Sequence, residues 1–101
     1  MSSKLNSSQR SFLRSKAHHL DSLLHIGKNG LSPSALGAID RLLESHELIK
    51  IKFREYKDKK DELMEKIIYS TSCVVVGVIG HTFILYRQNK DVDRRKIIFP
   101  G

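Results

Sequence analysis

The sequence predicts a single α/β domain in the order α-β-α-β-α-β-β, with a four-stranded mixed sheet against packed helices. Three observations predict it. Stretches with helical apolar spacing alternate with short apolar runs, a glycine loop leads from one such run into a helix start, and two closing apolar runs are separated only by Gly80-His81. At 101 residues, 40% hydrophobic and 29% charged, the chain can bury one modest core without a disulfide or metal to brace it.

The first helix is placed at about residues 8–20, capped by Ser7 or Ser8. At about 100° per residue, Leu13, Ala17 and Leu20 share one face with Phe12 at its margin, and Arg10, Arg14 and His18 step along a solvent-facing flank. Leu23–Ile26 reads as a short strand, and Gly27-Lys28-Asn29-Gly30 follows as a Gly-x-x-Gly loop. Ser32 caps a second helix with Pro33 at its first position, and Ala35, Leu36, Ile39, Leu42 and Leu43 cover one arc of it until about Ser45. From Glu47 to Phe53, Ile49, Ile51 and Phe53 alternate with Lys50 and Lys52, the pattern of a half-buried strand. A third helix starts at Asp58 or Asp61 and carries Leu63, Met64, Ile67 and Ile68 on one side. The nearly unbroken apolar run Cys73–Ile79 is expected at the centre of the sheet. Gly80-His81 then turns the chain into Thr82–Arg87 as a hairpin, and beyond it lies a charged tail in which only Ile97-Ile98-Phe99 has reason to dock. The domain is thus residues 1–101, with a core of about 5–87 and a basic tail at 88–101; strand order stays open, as does whether helices cover one face or both.

No stretch reaches the roughly 18 apolar residues of a membrane span, and Met1-Ser2-Ser3-Lys4 lacks the apolar core of a signal peptide, so a cytoplasmic location is expected. Cys73 is the lone cysteine and, beside Val74-Val75-Val76, reads as a small buried hydrophobe. The net charge of +7 is unevenly spread. Residues 1–30 hold Lys4, Arg10, Arg14, Lys16 and Lys28 against Asp21, and residues 87–101 hold Arg87, Lys90, Arg94, Arg95 and Lys96 against Asp91 and Asp93, while residues 31–86 carry eight of each sign. An excess confined to the two ends points to an anionic partner, with nucleic acid ahead of lipid because no helix pairs a basic face with bulky exposed apolar residues.

The glycine loop supplies a chemistry for that partner. Its glycines permit a tight turn with exposed N–H groups, Lys28 adds a cation, and the following helix start offers unpaired N–H groups, so the assembly can hold a phosphate. The other reading is a plain strand-to-helix turn in which Asn29-Gly30 supplies the positive-φ positions. Five histidines invite a metal reading, but His18 and His19 diverge by about 100° if helical and no Cys or carboxylate stands beside them at ligand spacing, so neither metal nor cofactor is expected. His46 reads as a helix-end group. No Ser-His-Asp order or Walker-type loop is present, and Lys57, Lys59 and Lys60 interleave with Asp58, Asp61 and Glu62 as a solvated helix start.

Three blocks together resemble a known family: Gln9-Arg10-x-x-Leu13-Arg14-x-x-Ala17-His18-His19-Leu20, Ile26-Gly27-Lys28-Asn29-Gly30-Leu31, and His46-Glu47-Leu48-Ile49-Lys50-Ile51-Lys52, with the Gly80 turn into Phe83–Arg87 as a fourth. They are similar to the signatures of the YhbY-like RNA-binding proteins, or CRM domain (chloroplast RNA splicing and ribosome maturation), over roughly residues 5–99. The resemblance implies a fold similar to the C-terminal domain of translation initiation factor three, RNA binding through the loop and adjacent basic surfaces, and association with precursors of the large ribosomal subunit. It departs from many members at Asp21-Ser22 and matches only in character across Glu55–Glu62.

The expectation is therefore a non-catalytic, monomeric RNA-binding protein acting on ribosomal RNA, with no small-molecule substrate and no membrane partner. Gly27 and Gly30 shape the loop, Lys28 neutralises phosphate, Asn29 donates at the tip, and Arg10, Arg14 and His18 extend a cationic track, with Lys16 and His19 as further candidates. Phe12, Phe53 and Phe83 sit in apolar patterns, so backbone contact is expected to outweigh base stacking. The rival from another class is an adaptor that docks a sheet edge or the basic tail onto an acidic ribosomal protein or assembly factor; a phosphate-handling enzyme is the third.

Overall fold

Asn6 starts the first helix in the computed structural model, which describes residues 5–100 of the chain. Its side-chain oxygen accepts from Gln9 N–H at 2.8 Å and the Gln9 side chain accepts from Asn6 N–H at 3.0 Å, a reciprocal capping box. Helix α1 therefore spans Ser7–Ala17, and neither Ser7 nor Ser8 is its cap. Leu13 and Ala17 are fully buried as their spacing requires, but Leu20 lies beyond the helix end and is exposed. Lys4, counted in the N-terminal charge excess, and the Met1-Ser2-Ser3 stretch before it lie outside the described residues.

The remaining elements follow the expected order: β1 (Ser22–Ile26), α2 (Pro33–His46), β2 (Leu48–Phe53), α3 (Lys60–Thr71), β3 (Val74–Ile79) and β4 (Thr82–Tyr86). Ser32 caps α2 by accepting from Ala35 N–H at 3.1 Å, with Pro33 at the first position. Neither Asp58 nor Asp61 caps α3; a 3₁₀ turn over Lys57–Lys59 leads into it, and its cap position, Lys59, makes no side-chain cap bond. Gly80, at φ 61°, takes the first central position of the hairpin turn, where a side chain would be strained.

The sheet order is β1-β2-β4-β3, with β1 and β2 parallel and β4 antiparallel to both its neighbours. The crossover through α3 thus skips one position, and the closing hairpin fills the gap. This places β3 at an edge, against the expectation from its unbroken apolarity. The strand enclosed on both faces is β4, where Phe83, Ile84, Leu85 and Tyr86 are all buried. Along β3 burial ends at Val76, and Val78 and Ile79 are 51% and 62% exposed. A bulge between Val75 and Gly77 lets Val76 and Gly77 oppose Ile84 alone and bends the strand where α1 crosses it.

Helices α2 and α3 cover one face of the sheet, around Ile39, Leu43, Ile49, Ile51, Phe53, Ile67 and Leu85. The other face is covered only in part, by α1 and the C-terminal segment, around Leu13, Ala17, Leu48, Val76, Ile84 and Tyr86. That segment is pinned well past residue 87. Glu47, fully buried in a left-handed conformation between α2 and β2, accepts through its carboxylate from the N–H groups of Asn89 (2.6 Å), Lys96 (2.7 Å) and Ile97 (2.8 Å). Ile97 and Phe99 then dock against the α1 side, and the Phe99 ring lies 5.6 Å from Phe12 and 5.9 Å from Tyr86. Among the described residues no helix is long and apolar enough to cross a membrane.

Candidate nucleic-acid interface

Strand β1 ends at Ile26, and the backbone then closes a turn in which Gly30 N–H donates to the Gly27 carbonyl at 2.9 Å. Lys28 and Asn29 form its exposed tip, directly ahead of the α2 start. The two glycines differ. Gly30 sits at φ 63°, and a Cβ placed there would come 3.3 Å from the Tyr56 ring; Gly27 has no positive φ and open space where its side chain would be. Asn29 is not in the left-handed region, so Gly30 alone supplies the unusual conformation.

Tyr56 is a part of this site that sequence reasoning missed. Its backbone is itself left-handed at φ 56°, its hydroxyl donates to the Lys28 carbonyl at 2.7 Å, and its ring lies against Gly30 while remaining 42% exposed. Its sequence signal was slight: one aromatic in a charged stretch, without apolar periodicity to assign it to a core.

The arginines of α1 are committed more deeply than a solvent-facing flank implies. Because α1 crosses β3, the Arg10 guanidinium donates to the Val75 carbonyl at 3.0 Å and that of Arg14 to the Val76 carbonyl at 3.3 Å, with the Arg14 stem lying over Gly77. Each keeps further N–H groups for another partner. Lys16, about 200° further round the helix than Arg14, is turned away from them, with its ammonium 5.5 Å from the Phe12 ring centre. His18 and His19 lie beyond Ala17, off the helix, and their rings meet edge to face at 5.3 Å instead of diverging. Among the described residues no group of three or more His, Cys, Asp or Glu could hold a metal.

Between α1 and the loop lies the open part of the sheet, and there β2 directs the charge. Lys50 Nζ donates to the Leu20 carbonyl at 2.9 Å, tying down the turn after α1. Lys52 is exposed and registers with His25 of β1 on one side and Thr82 of β4 on the other. Beside them Arg54 Nε–H donates to His25 Nδ1 at 2.8 Å. Two cations of the C-terminal segment are committed elsewhere: Arg87 is paired with Asp40 (2.6 Å) and Glu44 (3.3 Å), and Arg94 with Glu44 (3.8 Å). Cys73 is buried, which pushes its thiol up and removes it as a nucleophile.

Comparison with known proteins shows what the whole chain is similar to. The chain is 34% identical over 88 residues to the probable RNA-binding protein YqeI of Bacillus subtilis, covering 86% of this chain and 92% of that protein. It is 35% identical over 88 residues to an RNA-binding protein of Haemophilus influenzae, covering 86% and 89%. The solution structure of the hypothetical protein SAV1595 of Staphylococcus aureus superposes with a TM-score of 0.73 at 34% identity, covering 94% of this chain and all of that one. The match to the CRS1/YhbY (CRM) domain runs from residue 5 to residue 87, through α1, the glycine loop and all four strands, and the chain belongs to that family.

Proposed function

We propose that this protein is a non-catalytic RNA-binding protein that holds the phosphate backbone of structured ribosomal RNA during assembly of the large ribosomal subunit, in the cytoplasm and as a monomer. The observation that carries the reading is the exposed Lys28-Asn29 tip, held by the Gly27–Gly30 turn and the Tyr56 strut beside an open sheet face bearing Lys52, His25 and Arg54. Backbone N–H groups and mobile cations at one edge suit phosphate, and the names of the relatives favour RNA. Arg10 and Arg14 extend the surface along α1; His18 and His19 mark its far end, and Lys16 is the least connected of the candidates.

Salt-matched fluorescence titrations with ribosomal RNA fragments and with bulk polyanion test this. Preference for an RNA fragment, with log affinity falling linearly in log salt, supports it; a flat salt response overturns it. The adaptor reading draws on the exposed Val78 and Ile79 at the β3 edge, and it requires equal or absent binding to RNA and polyanion.

A further inference from the structure

Residues 54–60, charge-mixed in sequence, form a strap across the end of the sheet. At one end the N–H groups of Arg54 and Glu55 both donate to the Ile26 carbonyl, at 2.9 and 3.1 Å, and Tyr56 reaches Lys28. At the other, Lys60 Nζ donates to the Gly80 carbonyl at 2.9 Å and lies 3.1 Å from His81 Nδ1. The strap therefore joins the glycine loop to the β3–β4 turn.

Three lysines gather around that turn and its histidine. Lys52 comes from β2, in register with Thr82; Lys57 and Lys60 come from the strap and the start of α3; His81 belongs to the turn itself, its carbonyl accepting from Phe53 N–H at 2.9 Å. Although Glu55, Asp58 and Asp61 are close in sequence, none of these three lysines lies within ion-pair distance of a carboxylate among the described residues. The His81 ring reports the result: partial burial first, then the charges of Lys60, Lys57 and Lys52, hold it below the usual histidine range. A cluster of like charges without a counter-ion is held together by the fold at an electrostatic cost, and a bound anion would relieve it.

We propose that Lys52, Lys57, Lys60 and His81 form a second phosphate-binding site, so that an RNA backbone crosses the end of the sheet from the Lys28-Asn29 tip to the Gly80-His81 turn. Since β1, β2 and β4 are successive neighbours, the two sites stand two inter-strand spacings apart, about 10 Å. That span is short enough for a single RNA strand to cross both sites. The site rests on the RNA-binding reading and extends it from Lys52 to Lys57, Lys60 and His81, which that reading does not include.

The test is an anisotropy titration of the full chain with a ribosomal RNA fragment at several salt concentrations, for wild type, Lys28→Ala, Lys57→Ala and the double variant Lys57→Ala/Lys60→Ala. Each lost phosphate contact should lower the log–log salt slope by about 0.7 on single-stranded RNA, so the double variant should lose about 1.4 and bind several-fold more weakly. Because Lys60 also braces Gly80 and His81, the exposed Lys57 supplies the variant that leaves those contacts intact. In NMR titrations the His81 midpoint should rise when RNA binds, since a phosphate offsets the lysine charges that hold it down. Wild-type binding with unchanged affinity and slope in Lys57→Ala and in the double variant overturns this site and leaves the RNA-binding reading standing. No binding by the wild type overturns both.

Discussion

A side chain added at Gly30 meets the Tyr56 ring at 3.3 Å while the backbone is held at φ 63°, whereas one added at Gly27 meets nothing. Gly30→Ala should therefore cost about 1–2 kcal/mol, seen as a melting temperature lower by several degrees, and Gly27→Ala should stay within about 0.5 kcal/mol. Gly27→Asp becomes the cleaner functional variant: it should melt like wild type yet bind RNA weakly, because its charge sits where phosphate is proposed to go. Normal binding by Gly27→Asp would reduce the loop to a turn. A different residue-scale prediction concerns Tyr86, whose buried hydroxyl has no hydrogen-bond partner among the described residues. Burial, and then the nearby Glu47 carboxylate, push its phenol up to about 12 although Arg95 opposes them. An acid whose folded-state pKa is raised loses stability only above its unfolded value, so stability should fall as pH rises from about 10 toward 12. In Tyr86→Phe that part of the fall should vanish, together with the high-pH component of the tyrosinate absorbance, and stability at pH 7 should hold or improve, since no hydrogen bond is lost.

At the scale of elements, α1 is fastened to the bulged edge of β3 by two arginines, so its basic flank serves the fold before it serves any ligand. Arg14→Ala removes the donor to the Val76 carbonyl and uncovers Gly77, and should lower stability by about 1 kcal/mol in denaturant melts. Arg14→Lys should recover part of the packing but not the bond. Glu47→Ala is the severe case: three backbone N–H groups lose a charged acceptor, and the cost should be on the order of 3 kcal/mol, with Phe99 released from Phe12 and Tyr86. Unchanged melting of Glu47→Ala would mean that the C-terminal segment is held by its apolar contacts alone. These two fastenings also explain what the sequence could and could not disclose. Helix and strand positions were legible because apolar spacing is a local signal, and the Gly80 turn because hairpin chemistry is local too. The edge position of β3, the Asn6 cap in place of Ser7 or Ser8, and the Glu47 carboxylate that pins the C-terminal segment were not, although Ile97 and Phe99 dock as their apolarity suggested. The cap was decided by Gln9 reaching back, the edge position of β3 by the pairing of β4 with β2, and the pinned segment by a contact that spans 50 residues from Glu47 to Ile97.

Across the whole molecule the charge is sorted by the fold, and in a way that differs from its order along the chain. The excess of +3 in residues 87–101 is partly neutralised, because Arg87 and Arg94 are drawn to Asp40 and Glu44 of α2. The balanced middle, by contrast, sends Lys52 and Arg54 to the open sheet face and the loop end. The alternation along β2 already put Lys50 and Lys52 on the side that meets water, and the fold keeps Lys52 exposed there while Lys50 ties down the turn after α1. The two placements of charge make opposite predictions. If the sequence ends held the RNA, Arg94→Ala would lower the salt slope by about one contact and Lys52→Ala would not. From the fold, Lys52→Ala should weaken RNA binding at every sequence tested and lower the slope by about 0.7 on single strands, with little change in melting temperature because its side chain is exposed. Arg94→Ala, its guanidinium already facing Glu44, should leave slope and affinity unchanged. Arg87→Ala should also spare the slope but lower stability by about 1–3 kcal/mol, since its guanidinium bonds Asp40, Glu44 and the Thr71 carbonyl at once. A slope that responds to Arg94 and ignores Lys52 would move the interface to the C-terminal side of the molecule and away from the glycine loop.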